Sequence, residues 1–192
     1  VISDFSWDRL TPWRQLVAEF FDPPDCRPYL EHIERVRLDM VSAGGHREYA
    51  QGELLAAWLA TRLGWVPAPD LWRRLPEGDE IRLLRGRQAV HVALAERPAT
   101  AGEAPGLHGL TLTATLAGKQ ATFAIRRMPS DQQAEISTRL PALVRQRIVP
   151  FPIPTPADLL SEELMRSGYD RTYADALRLA AFFSAQRMPG EI

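Results

Sequence analysis

The sequence predicts an α+β domain: a mixed, largely antiparallel sheet of about five to six strands with helices packed on one or both faces. Two observations carry this. Apolar and polar residues alternate through the middle of the chain in two hairpin-like pairs, the pattern of half-buried strands, whereas apolar residues near both ends recur at helical spacing. At 192 residues the chain is long enough for one domain with its own core, so residues 1–192 are read as a single unit.

The first helix begins at Thr11-Pro12. The threonine hydroxyl can cap it, and proline suits a first helical position whose N–H would have no acceptor within the helix. Trp13, Leu16, Val17, Phe20 and Phe21 then share one face, which must be buried in the chain's own core or against a partner. Asp22-Pro23-Pro24-Asp25 ends the helix, because a residue before proline is pushed out of the α region. In the next stretch Val36, Leu38 and Met40 alternate with Arg35, Arg37 and Asp39, which predicts a strand. Ser42 to Gly45 reads as a turn. Arg47 to Leu63 reads as a helix with Leu54, Leu55, Trp58, Leu59 and Leu63 at helical spacing and Gly64 as its stop.

Pro67 and Pro69 interrupt the pattern. Ile81 and Leu83 pair with Val90, Val92 and Leu94 around Arg85-Gly86-Arg87 in a first hairpin. A polar connection covers residues 98–106. Leu110, Leu112 and Leu116 lead through Ala117-Gly118-Lys119 to Ala121, Phe123 and Ile125 in a second hairpin. Ser130 with Gln133 has capping-box spacing and predicts a helix from Asp131. Residues 144–151 read as one more strand. Thr155, Pro156 and Asp158 start another helix that Gly168 stops. Asp170 caps the last one, with Tyr173, Leu177, Ala180, Ala181 and Ser184 on a face.

With 23 basic and 24 acidic residues, the formal net charge of −1 gives no electrostatic reason to bind nucleic acid or an anionic membrane. Lys119 is the only lysine, a bias read as compositional. Cys26 is the only cysteine, which excludes an internal disulfide. Its neighbour Arg27 is placed to lower the thiol pKa. No stretch has the ~20 apolar residues of a transmembrane helix, and a cytoplasmic setting is expected. The chain opens on Val1 rather than methionine, as either processing or excision from a longer protein would leave it.

Catalytic and cofactor motifs are missing: no G-x-G-x-x-G, no P-loop, no G-x-S-x-G and no S-x-x-K occurs. No cofactor or metal is expected. His32, His46, His91 and His108 stand apart without metal-ligand spacing. The G-x-x-G at Gly106 to Gly109 reads as a loop before a strand, not as a nucleic-acid element. Asp79-Glu80 and Glu162-Glu163 read as solvated or helix-terminal charge. Two other classes remain open: an enzyme site assembled from scattered residues such as His46, Asp70 and Arg73, and a ligand or nucleic-acid binding module.

Three segments carry a family resemblance: "WDRLTPWRQLVAEFFDPP" running into "RPYLEHIERVRL", then "LLAAWLATRLGW", and finally "DLLSEELMRSGYDRTYADALRLA". In this order, from Asp4 to Leu179, they resemble the C-terminal part of the glucose-6-phosphate dehydrogenase assembly proteins, the OpcA family. The resemblance implies a non-enzymatic partner that binds glucose-6-phosphate dehydrogenase and promotes its active oligomer in the oxidative pentose phosphate pathway. It also implies a further domain before the matched part. Because arginine and large aromatics concentrate binding energy at interfaces, Trp7, Arg9, Trp13, Arg14, Arg27 and Tyr29 are the candidate partner-binding residues. Trp13 lies on the helix's apolar stripe, so Arg9 and Arg14 are the preferred contacts.

Overall fold

A computed structural model of the chain describes residues 5–42, 49–100, 103–128, 132–152 and 170–187. Two short helices open it, α1 (Phe5–Arg9) and α2 (Thr11–Glu19), followed by a 3-10 helix (Arg27–His32). Strand β1 (Ile33–Ser42) and helix α3 (Ala50–Leu63) come next. Three strands follow, β2 (Val66–Leu75), β3 (Gly78–Arg85) and β4 (Gln88–Pro98). Four more, β5 (Gly106–Leu116), β6 (Lys119–Arg127), β7 (Gln133–Leu140) and β8 (Leu143–Pro150), lead to the last helix, α4 (Arg171–Gln186).

The eight strands among the described residues join one sheet in the order β2-β3-β4-β1-β5-β6-β7-β8. Every neighbouring pair is antiparallel except β1 and β4, which run parallel with Val36 beside Val92 and Leu38 beside Leu94. The α+β class and the mixed, mostly antiparallel sheet are as the sequence predicts; the strand number is larger than the expected five to six. Two strands lack a clear sequence signal, for different reasons. β2 contains Pro67 and Pro69, and lies at the sheet edge, where proline is tolerated because one side of the strand has no ladder to break; its pairing with β3 is irregular between Pro67 and Trp72. β7 is masked by the capping-box spacing at Ser130 and Gln133, which points to a helix. Ala134, Ile136, Thr138 and Leu140 alternate inward instead, and β7 zips onto β6 with Ile136 beside Ile125.

Cross-strand partners point to the same side of a sheet, so register assigns the faces. Val36, Leu38, Val92, Leu94, Leu110 and Leu112 share one side and are fully buried. The described helices cover that side. Phe20, Phe21 and Tyr29 pack on Phe123 with ring centroids 5.4, 4.9 and 6.5 Å away. In α3, Gly52 lies against Leu94, Met40 and Leu38 so closely that an added Cβ would come within 3.1 Å of Leu94. The opposite side carries Arg35, Arg37, Asp39, Thr111, Thr113 and Ala124, all half-buried or exposed.

Helix ends follow local chemistry, with one exception. Gly64 closes α3 at φ 68°, the left-handed position that glycine takes without penalty. Asp170 caps α4, its Oδ1 accepting the Tyr173 N–H at 3.0 Å. Thr11 does not cap α2; Leu10 holds that position, and the Thr11 hydroxyl instead accepts from Arg14 Nη2 at 2.9 Å. On α4 the buried residues are Tyr173, Ala176, Ala180 and Phe183, so the inward face is rotated from the predicted one and leaves Leu177 exposed. The predicted turn after Ser42 and the helix from Thr155 to Gly168, with Glu162-Glu163, lie outside the described residues.

Candidate functional site

Of the six candidate contact residues, Trp7, Trp13 and Tyr29 are interior, at 1%, 3% and 7% exposure. Large aromatic surfaces gain most by leaving water, and α1 and α2 have a broad apolar sheet to cover. Trp7 lies 5.3 Å from the Tyr173 ring, and its Nε1–H donates to Asp170 Oδ2 at 3.2 Å. Trp13 meets Phe151 edge-on at 5.0 Å. Arg14 is occupied within the chain: its guanidinium carbon sits 3.5 Å from the Trp7 ring centroid, and it binds Thr11. These four side chains therefore build the fold rather than a surface patch. Arg27 is exposed and donates to the Asp22 carbonyl at 3.3 Å. Arg9 is exposed, without an ion pair among the described residues, and lines a cavity of about 250 Å³ with Trp13, Gln51, Pro105, Phe151 and Pro152.

That cavity is one end of a longer groove. A cleft of about 860 Å³ adjoins it at the same end of the sheet: Arg127 lines both, and Glu103 of the cleft neighbours Ala104 of the cavity. The cleft walls come from β1, β4, β5 and β6, the β2–β3 turn and the loop after β4. A bulge creates one corner: register passes from Asp39–Gly109 to Met40–Leu107, leaving His108 as the extra residue on β5. Gly109 lets Asp39 lie close at this corner, since an added Cβ would come within 2.8 Å of Asp39 Oδ2 and displace that carboxylate.

The cleft is lined by fixed ion pairs. Arg37 Nε donates to Asp39 Oδ1 at 2.8 Å, and its Nη1 donates to Glu77 Oε1 at 2.5 Å. Arg97 grips Glu103 with two bonds of 2.7 and 2.5 Å, and Thr100 adds its N–H at 3.1 Å and hydroxyl at 2.9 Å. His108 holds the loop through Nε2 and the Ala104 carbonyl at 2.7 Å, with Nδ1 3.3 Å from Glu103. The Arg97 hydrogen bonds, then the Thr100 N–H, hold the Glu103 carboxyl far below the usual carboxylate range. Arg37 lowers Glu77 likewise. Burial, reinforced by the Arg127 charge, holds His108 below its ordinary 6.5. A general acid needs a carboxyl raised toward neutrality; here two carboxylates are driven the other way. What the groove offers is a pattern of alternating charge held in ion pairs.

The structure corrects several further expectations. Asp79 and Glu80 are buried rather than solvated; Asp79 pairs with Arg74 at 3.1 Å and Glu80 with His91 at 3.3 Å. Gly106 to Gly109 lies within β5, not in a loop. Cys26 is buried, and burial with the Asp25 charge raises its pKa rather than lowering it. Arg27 does not offset this, because its side chain turns away to Asp22. Of the scattered residues weighed for an enzyme site, Asp70 pairs with Arg82, Arg73 is exposed on edge strand β2, and neither lines the cleft; His46 lies outside the described residues. Among the described residues no His, Cys, Asp or Glu group has metal-ligand geometry, and no helix is long and apolar enough to cross a membrane.

Fold and groove together define a domain with a mixed sheet, helices on one side and a charged groove at one end. The chain belongs to the family described as the C-terminal domain of the glucose-6-phosphate dehydrogenase subunit, whose family model matches residues 1–177. Over 66 residues it is 41% identical to the OxPP cycle protein OpcA of Synechocystis, a match covering 34% of this chain and 13% of that protein. The OpcA of Synechococcus elongatus is 36% identical over 66 residues, 34% of this chain and 14% of that protein. The chain thus spans a small part of the curated relatives it matches. Among solved structures, the fold is similar to KijD10, a 3-ketoreductase from Actinomadura kijaniata. That structure superposes with a TM-score of 0.58 at 12% identity, covering 97% of this chain and 61% of that one. A KijD10 variant reaches a TM-score of 0.60 at 12% identity, over 97% of this chain and 60% of its own.

Proposed function

We propose that the chain is a non-catalytic cytoplasmic docking domain that binds glucose-6-phosphate dehydrogenase and favours its active oligomer in the oxidative pentose phosphate pathway. The observation that carries this is the match, across residues 1–177, to a family described by that dehydrogenase's name. The OxPP cycle naming of the relatives supports it, as does a groove whose charges are locked in pairs rather than poised for proton transfer. A protein of this kind activates an oligomer by binding its active form more tightly than the alternatives. A coupling of ~1–3 kcal/mol gives a ~5–150-fold effect without a catalytic group on the activator. Arg9, exposed at the helix side of the groove, is the preferred contact of the six candidates, with Arg27 second.

The test mixes the chain with dehydrogenase from the same organism and follows complex mass by light scattering and initial rates across substrate concentration. The expected result is a co-eluting complex with an altered rate curve. Arg9→Glu should weaken that complex about tenfold or more by reversing an interfacial charge, with Arg27→Glu weaker in effect. No complex and no change in rate would count against the proposal.

A further inference from the structure

The side of the sheet away from the helices has an internal order of its own, and the charged cleft occupies one end of it, with Arg37, Asp39, Ala95, Gly109 and Arg126 in the cleft lining. Three rows of side chains run across it. The middle row is Glu80, Ala93, Arg37, Thr111, Ala124, Ser137 and Gln146, on β3, β4, β1, β5, β6, β7 and β8. Two residues back along each strand, or two on, lie the flanking rows. One holds Arg82, His91, Arg35, Thr113, Thr122, Arg139 and Val144; the other holds Gly78, Ala95, Asp39, Gly109, Arg126, Glu135 and Ile148.

The two flanking rows are complementary, strand by strand. Arg35 corresponds to Asp39 on β1, Arg139 to Glu135 on β7, and Val144 to Ile148 on β8. Elsewhere a long side chain corresponds to a short one: Arg82 to Gly78, His91 to Ala95, Arg126 to Thr122. A two-fold axis laid along the middle row exchanges the flanking rows of two facing copies. Opposite charges then meet, apolar meets apolar, and large meets small, which is what an isologous interface requires. Thr111, Ala124 and Ser137 on the axis are small enough for close approach, as aligned sheet packing needs. The charged residues on the axis already have neighbours of their own within the chain. Arg37 is held by Asp39 and Glu77, and Glu80 is buried against His91. Val144 and Ile148, at 60% and 57% exposure, are the most exposed large apolar residues described, and both lie on this side. Phe151 packs on Trp13 and Asp170 binds Trp7, both on the helix side.

We propose that this open side of the sheet is a self-complementary interface that docks a second copy of the chain, sheet against sheet about a two-fold axis along the Arg37–Thr111–Ala124 row. The inference does not depend on the dehydrogenase. Sedimentation velocity and light scattering of the chain alone, from about 1 to 100 μM, should give a mass of two chains at the upper end, within the ordinary range of protein association. Arg139→Glu and Glu135→Arg each place like charges across the axis and should each weaken the dimer about tenfold or more. The double variant re-pairs them and should restore dimerisation to within about threefold of the unsubstituted chain. Thermal melting checks that all three fold, and the restored double variant cannot arise from misfolding. A chain that stays monomeric at about 100 μM overturns the proposal. So does a dimer indifferent to both single reversals. Protection of Thr111 and Ala124 amides that appears only on adding the dehydrogenase also overturns it, assigning this side to that partner.

Discussion

Glu53 is buried in α3, and its two oxygens serve two partners on and beyond the last helix. Oε2 accepts from Ser184 Oγ at 2.5 Å, and Oε1 pairs with Arg187. The Arg187 guanidinium is in turn flanked by the Tyr49 and Trp72 rings, 4.6 and 4.9 Å from their centroids. Removing the carboxylate strands a partly covered cation between two aromatic faces. Glu53→Ala should cost about 2–4 kcal/mol in urea denaturation, and Glu53→Gln distinctly less because one hydrogen bond survives. His108 gives a pH signature. Its folded pKa lies below the ordinary 6.5, so the unfolded chain binds its proton first and stability falls as pH drops below about 6.5. Glu103, Arg97 and Arg127 surround it. Between about pH 7 and 5 the melting temperature of His108→Gln should therefore decline less steeply than that of the unsubstituted chain.

At the scale of elements, ends and turns concentrate the risk. Asp170 both caps α4 and accepts from Trp7, so Asp170→Ala should cost about 1–2 kcal/mol and loosen α1 together with α4, visible as faster amide exchange in both. Gly78 opens β3 at φ 153°, where a Cβ would overlap the Leu94 carbonyl oxygen. Gly78→Ala should destabilise by about 3 kcal/mol or more in chemical denaturation, since backbone rather than a flexible side chain must yield. Elements whose signals are local are legible in the sequence: the alternation in β1, the two hairpins, the Gly64 stop, the Asp170 cap. Where a local signal conflicts with a distant partner, the partner wins. Pro67 and Pro69 argue against a strand only in a sheet interior, and Ser130 with Gln133 argues for a helix only when no waiting β6 edge offers a ladder. The groove is illegible for the same reason. Arg37, Glu77, Arg97, Glu103 and His108 come from β1, the β2–β3 turn, β4, the following loop and a bulge on β5, and no spacing rule joins them. Only the alternation that puts Arg37 and Asp39 on a shared side of one strand hints at it.

For the molecule as a whole, tryptophan and phenylalanine crowd the N-terminal segment because it is the lid of the core, roofing the sheet over Phe123 and Phe151. Its arginines divide by the same logic: Arg14 is stacked on Trp7, while Arg9 stands clear beside the groove. The parallel pairing of β1 with β4, at the centre of the sheet, also fixes an order of events during synthesis. β1 ends at Ser42, but its partners β4 and β5 finish at Pro98 and Leu116. At ~5–20 residues per second, translation leaves the central strand without either neighbour for about 3–10 s. The first element made after β1 is α3, whose Gly52 closes onto Leu38 and Met40. That helix is the first element made after β1 that packs on the strand in the folded chain, ahead of either neighbouring strand.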